Sequence, residues 1–329
     1  MTSDSRATTP PQPGGAPSVA DLVQQARDGQ PRAVARLISL VEDRSPSLRE
    51  VSAALTPLVG GAHVVGITGS PGVGKSTSTS ALVTALRAQG QRVGVLAVDP
   101  SSPFSGGALL GDRIRMQDHA LDEGVYIRSM ASRGHLGGLS ATAPQALRVL
   151  DAAGCDVVLV ETVGVGQSEV EIAGLADTTL VLLAPGMGDG IQAAKAGILE
   201  IGDVFVVNKA DRDGAVSTRR ELRSVIAMTD RADGSWTPPI LLTTATTGEG
   251  VPEVVEQILA HRAHLQDSGE LERRRLARTR REIEALALTQ VRSRFAHLSG
   301  DTRLDTLAAQ VLAGQTDPFA AADTLVEHL

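Results

Sequence analysis

Aromatic side chains are nearly absent from this chain: one Trp, one Tyr and four Phe among 329 residues, 2% of the total. Its 42% apolar content is therefore mostly aliphatic, and Val, Leu, Ile and Ala must fill any core. That length has room for one large α/β domain with helical additions, or for two modest domains. Cys155 is the single cysteine, so no internal disulfide forms and nothing points to an oxidising compartment. Just ahead of an apolar strand, it reads as a small buried residue and not as a reactive thiol. No apolar run approaches the ~20 residues of a membrane-spanning helix. The opening MTSDSRATTPPQPGGAPS has no hydrophobic core and one Arg, unlike a secretory or organellar leader. A basic excess is missing as well: the formal net charge is −7, which argues against a chain that lives on phosphate contacts to nucleic acid. A soluble cytoplasmic protein with neither nucleic acid nor membrane as partner is expected.

Four segments follow from the pattern of what is present. Residues 1–17 are rich in Pro, Gly, Ser and Thr and read as a disordered tail. Residues 18–60 place apolar side chains at helical spacing, for example Ala33, Leu37, Ile38 and Val41, with breaks near Gly29-Gln30-Pro31 and Ser45-Pro46. From 61 to 255 short aliphatic runs (63–68, 93–98, 125–130, 156–161, 179–184, 203–207 and 239–243) alternate with longer helical stretches. Continuous apolar strands separated by helices predict an α/β fold with a largely parallel sheet covered on both faces, with ligands at the carboxyl ends of its strands. Residues 256–329 read as helical, and 270–284 holds six Arg and four Glu, the mixed signs of a solvated helix face.

Residues 69–76, GSPGVGKS, match the phosphate-loop pattern in full, directly after a strand and before a helix. Gly69, Gly72 and Gly74 permit backbone angles that aim successive N–H groups of Ser70, Pro71's neighbours and Val73 at phosphate oxygens, and the next helix presents its positive end to the same anion. Lys75 would reach the β- and γ-phosphates, the Ser76 hydroxyl would complete a Mg²⁺ shell, and Thr77 closes the nucleotide-binding run. A later strand ends in Asn208-Lys209-Ala210-Asp211. The Asp211 carboxylate accepts two hydrogen bonds, which suits the ring N–H and exocyclic amine of guanine, whereas adenine would leave it unpaired at a cost of roughly 1–3 kcal/mol. Asn208 would hold the loop and reach the base edge, with the stem of Lys209 covering the ring. TATTGEG, 244–250, follows another strand; either it is an ordinary strand-to-helix loop, or Thr244 and Ala245 bring a backbone N–H to the guanine carbonyl oxygen.

Asp99 ends the second strand, Asp112 follows in a Gly- and Ser-rich loop, and Glu161 ends a later buried strand. A carboxylate where a strand meets the phosphate loop holds Mg²⁺ directly or through water, which makes Ser76, Asp99, Asp112 and Glu161 the metal candidates. Gly164 would offer an N–H to the γ-phosphate, so 161–169 would order with triphosphate and relax on hydrolysis. The segment 185–195 is a third candidate mobile loop, equally readable as a plain turn, and its Lys195 joins Lys75, Glu161 and Asp99 as catalytic candidates. His119 and His135 show no ligand spacing, and Trp236 reads as a packing residue.

In order, GSPGVGKST, VDPSSPFSGGALLGDRIRM, RGHLGGLS, ETVGVGQSE, GMGDGIQAAKAG, NKAD and TATTGEG resemble the MeaB/ArgK family of P-loop GTPases, associated with methylmalonyl-CoA mutase. The likeness runs from LISLVED near residue 40 to DPFAAADTLVEHL at the end. It implies a GTP/GDP- and Mg²⁺-dependent hydrolase, a homodimer joined through C-terminal helices, and a GTP cycle that gates cofactor loading and protection in an adenosylcobalamin-dependent acyl-CoA mutase. Metal and switch roles then fall on Asp99, Asp112 and Glu161, with an additional switch from Gly186 to Lys195. Glu161 stands where most small GTPases place Asp, and Gln167 is a candidate only for orienting the attacking water. A kinase or ATPase serving basic amino-acid transport, a metallochaperone GTPase and a scaffold without turnover remain the alternatives.

Overall fold

The computed structural model describes residues 17–43, 45–100, 118–119, 121–132, 142–162, 168–186, 199–228, 234–295 and 302–327. Three short helices open it: α1 (Val19–Arg27), α2 (Pro31–Glu42) and α3 (Leu48–Leu55). Ser18 caps α1 through a reciprocal pair with Asp21, and Pro31 starts α2 where a missing N–H costs nothing. Alternation follows: β1 (His63–Thr68), α4 (Lys75–Ala88), β2 (Val93–Pro100), β3 (Val125–Ser132), α5 (Ala143–Ala152), β4 (Val157–Thr162), α6 (Ser168–Leu175) and β5 (Thr178–Leu183). One helical turn, α7 (Leu199–Ile201), leads to β6 (Val204–Asn208), α8 (Ala215–Ala227), β7 (Ile240–Thr243) and α9 (Val251–Asp267). Two compact units result, Met1–Leu271 and Glu272–Leu329.

Among the described residues all seven strands pair in parallel, in the order β3-β2-β4-β1-β5-β6-β7. The expected sheet is therefore present, and it is parallel throughout. Side chains alternate between faces along each strand, and both faces are buried. Val64, Leu96, Val98, Val158 and Val160 point into a core shared with α1, α2, α3 and α5. Val65, Ile67, Val95, Leu159, Leu182 and Val206 point the other way, against α4 and α9. Because Val254, Val255 and Ile258 of α9 belong to that second core, the unit containing the sheet continues past residue 255 to Leu271. At Gly66 a Cβ would lie 2.9 Å from Ile172, so the bare backbone lets α6 lie close on β1.

Strand β1 is the pivot of this order. It has β4 on one side and β5 on the other, and the chain reaches β2 and β3 on the first side before it reaches β6 and β7 on the second. A crevice for ligand opens at the carboxyl end of such a strand. The register sets Ile67 of β1 and Ala97 of β2 on either side of Glu161, so that carboxylate emerges beside the start of the phosphate loop.

At the opposite end of the sheet lies a buried polar chain. The Thr178 hydroxyl sits 2.8 Å from His63 Nε2 and 2.8 Å from His261 Nδ1. His261 Nε2 lies 3.4 Å from Asp203, and Trp236 packs on the His261 ring while donating its indole N–H to the Asp203 carbonyl at 2.7 Å. Trp236 is thus a packing residue, as its sequence context suggested.

Helix α10 spans Glu270–Phe295; from Glu272 it belongs to the second unit, where α11 (Thr302–Leu312) and α12 (Pro318–Glu327) follow it and pack together. Leu276, Ile283, Leu286 and Leu288 of α10 are exposed on the single chain. Among the described residues no helix is long and apolar enough to cross a membrane.

Candidate functional site

The loop between β1 and α4 has no freedom to be anything but glycine at two points. Gly69 takes φ 141°, and a Cβ there would overlap the carbonyl oxygen of Leu182 in β5. Gly74 takes φ 95°, and a Cβ there would stand 2.6 Å from the amide nitrogen of Asn208. Gly74 also caps α4 without any side-chain acceptor, so the first N–H groups of that helix remain for an anion. Lys75, 8% exposed, folds its ammonium onto the loop, donating to the carbonyls of Gly69 at 2.6 Å and Ser70 at 3.3 Å. A triphosphate entering the crevice offers that ammonium stronger, charged acceptors.

Ser76 and Glu161, at 7% and 3% exposure, form the other half of the phosphate end. The Ser76 hydroxyl donates to Glu161 Oε1 at 2.6 Å. Spending its proton on the carboxylate leaves the oxygen lone pairs of Ser76 for a cation. Hard oxygen donors of this kind, with phosphate oxygens and water filling the remaining positions, are what Mg²⁺ takes. The residues present therefore fit the ion that the phosphate loop implies. Thr79, one helical turn beyond Lys75, donates to the second carboxylate oxygen, Oε2, at 2.9 Å. No motif named Thr79, although its spacing of three from Ser76 on one helix put both hydroxyls on the same face.

The base end is tied to the phosphate end by two side chains from the close of β6. Asn208 Nδ2 donates to the Val73 carbonyl at 2.9 Å, and Lys209 Nζ donates to the Gly72 carbonyl at 2.6 Å. Asn208 Oδ1 accepts from the Ala245 N–H at 3.1 Å and from the Thr243 hydroxyl at 3.2 Å. The hold on the phosphate loop expected of Asn208 is present, whereas the N–H expected to be available at Ala245 is already taken. The Ala245 N–H is held by Asn208, and with both ends of its amide on protein and 3% exposure, Asn208 acts on the pocket by binding three segments together. Asp211, just past Lys209, is exposed. Lys209 adopts φ 59°, a left-handed conformation unusual for a side chain of its size, and that turn sends its stem back across the phosphate loop. Thr244 is buried, and its N–H is engaged by the Glu249 carbonyl at 3.0 Å, which closes the 244–250 loop on itself.

Ser70, Pro71, Gly72, Val73 and Thr77 lie along the loop and first turn as the motif required. Asp99 is the next-to-last residue of β2 by its backbone, and its side chain lies outside the described residues, as do Asp112, Gly164, Gln167, His135 and Lys195. His119 lies 3.1 Å from the Ser80 hydroxyl, on the phosphate-loop helix, a contact for which the sequence carried no signal.

Residues 34–299 match the family model described as methylmalonyl-CoA mutase-associated GTPase MeaB. A Pyrococcus horikoshii protein with a provisional GTPase name is 47% identical over 94% of this chain and 98% of its own. The GTPase ArgK of Escherichia coli is 36% identical over 90% of both chains. The mouse methylmalonic aciduria type A homolog is 38% identical over 80% of this chain and 64% of its own. A solved structure described as a LAO/AO transport system kinase superposes with a TM-score of 0.70 at 29% identity, covering 94% of this chain and 97% of the other. With its phosphate loop, guanine motif and parallel sheet, the chain is a GTP hydrolase that belongs to the MeaB family.

Proposed function

We propose that this GTPase works with Mg²⁺ held through Ser76 and Glu161, and that its nucleotide state is read by an adenosylcobalamin-dependent acyl-CoA mutase, methylmalonyl-CoA mutase being the partner in the family's own description. The observation that carries the hydrolytic part is the Ser76–Glu161 pair at 2.6 Å beside Lys75. Lys75 stabilises charge on the transferring phosphoryl group, Ser76 and Glu161 orient the ion, which neutralises the phosphates when bound, and Asp211 selects guanine. Gly-rich segments leave the carboxyl ends of β2 and β4, after Asp99 and Glu161, at the mouth of this site. These segments, together with 185–195 after β5, would report a γ-phosphate to a partner, with Asp112, Gly164 and Lys195 as their respective contributions.

In this reading the GTP cycle gates cofactor loading and protection in the mutase, and two copies of the chain join through the apolar side chains of α10. Free protein should turn over GTP slowly, on the order of 10⁻⁴ to 10⁻² per second, and Lys75→Ala should abolish turnover. The test of the partner is GTP turnover and complex formation against mutase from the same organism, with GDP and with a non-hydrolysable GTP analogue. A partner that reads the cycle must bind the two forms with different affinity. Equal affinity, or no complex, removes the mutase role and leaves the hydrolase intact.

A further inference from the structure

A glutamate at the end of β4 has one more rotatable bond than an aspartate would. Its carboxylate can swing through a wider arc, and a metal-orienting group that swings is a poor one. In this chain both oxygens of Glu161 are met by hydroxyls of a single helix. Ser76 donates to Oε1 at 2.6 Å, and Thr79 donates to Oε2 at 2.9 Å. The Thr79 hydroxyl has a single proton and two acceptors in reach, the other being the Lys75 carbonyl at 3.0 Å. A carboxylate is the stronger acceptor, so the proton belongs on Glu161. Thr79 is 0% exposed and lies a helical turn behind the phosphate loop, out of reach of nucleotide.

We infer that Thr79 is a positioning residue for the cation site: its hydroxyl fixes Glu161 so that Oε1 stays on Ser76 and the pair presents one preset geometry to Mg²⁺. The inference rests on the reading of Ser76 and Glu161 as the Mg²⁺ site. Side chains that orient a metal-holding group through a hydrogen bond are worth about 10- to 100-fold in metal affinity. Thr79→Val keeps the shape and removes the hydrogen bond. Thr79→Ser keeps the hydrogen bond and removes the methyl group.

The experiment is binding of a fluorescent GDP analogue by the full chain, first in EDTA and then across a Mg²⁺ titration, with thermal melting of each variant as the check on folding. In EDTA, Thr79→Val should bind the analogue as wild type does, because Lys75, Asn208 and Asp211 are untouched. Its half-saturating Mg²⁺ should rise by about 10-fold or more, while Thr79→Ser stays within about twofold of wild type. A Thr79→Val protein with the wild-type Mg²⁺ requirement overturns the inference, and so does a Thr79→Ser protein that shifts as far as valine, since packing of the methyl would then be the cause. Should valine prevent folding, Thr79→Ala takes its place with the same two outcomes. A wild type that shows no Mg²⁺ dependence removes the metal site itself, a result distinct from a dependence that Thr79 does not influence.

Discussion

Asn208 and Val73 stand 135 residues apart in sequence and are joined by a 2.9 Å hydrogen bond from the asparagine amide to the valine carbonyl. The same amide accepts the Ala245 N–H, so one side chain locks the phosphate loop, the end of β6 and the loop after β7 into one body. Asn208→Ala would strip partners from two backbone groups buried there, at about 1–3 kcal/mol each. GTP and GDP affinity should fall together by about 10-fold or more, without a change in base preference. Asp211→Asn should do the reverse, relaxing the choice of guanine over adenine while the phosphate loop stays assembled. Calorimetry with GTP, GDP and ATP separates the two effects, and a wild type that binds ATP as tightly as GTP would refute the role given to Asp211.

Gly250 takes φ 75°, and a Cβ there would overlap the Leu242 carbonyl oxygen at the end of β7. Neither problem has a flexible side chain to absorb it. Gly250→Ala should cost about 1–3 kcal/mol in urea denaturation and displace the 244–250 loop, weakening guanine nucleotides without altering a single phosphate contact. An alanine variant of wild-type stability would show that the loop is softer than its geometry implies.

Arg87 grips Asp122 with two hydrogen bonds of 2.8 Å, and that guanidinium, helped by the Gly124 N–H, holds the Asp122 carboxyl below the usual aspartate value. A depressed carboxyl stabilises the fold fully above the pH at which the unfolded chain's aspartates titrate, about 4, and loses that effect as pH falls through its own lower value. Both side chains keep contact with water, so the contribution is at most about 1 kcal/mol. Urea melts of Asp122→Asn should therefore trail wild type slightly at pH 7, begin to close on it below about pH 4, and meet it only below the carboxyl's own depressed value.

Burial pushes the Cys155 thiol up to about 12, and the residue is 3% exposed just before β4. A thiol held protonated and out of reach does not attack. A colourless aromatic disulfide reagent should release no signal from the native protein at pH 8 and one equivalent after denaturation. Rapid labelling of the native chain would mean that β4 opens readily.

The strands and the phosphate loop were legible because their signals are local. Val157, Val158, Leu159 and Val160 form a continuous aliphatic run, the mark of a strand buried on both faces, and the loop glycines sit at fixed offsets from Lys75. What sequence did not disclose are relationships between distant segments. Nothing adjacent to Asn208 tells that its amide is consumed by Val73 and Ala245, and nothing beside Thr79 tells that Glu161 lies 82 residues away against its hydroxyl. Those facts come from register: only the pairing of Ile67 with Glu161 brings β4's end to the helix that follows β1.

The chain of His63, Thr178 and His261 carries a consequence for how the protein is made. His63 opens the central strand, its partner Thr178 follows 115 residues later, and His261 a further 83 residues beyond that. On a ribosome adding about 5–20 residues per second, the first histidine emerges roughly 10–40 seconds before the last member of its cluster exists. Throughout that interval α4 is, among the described residues, the only helix made that covers the Val65 and Ile67 face of β1, and α9, which completes that core, does not yet exist. A translation pause placed between codons 178 and 261 would prolong that half-built core more than the same pause placed after 271.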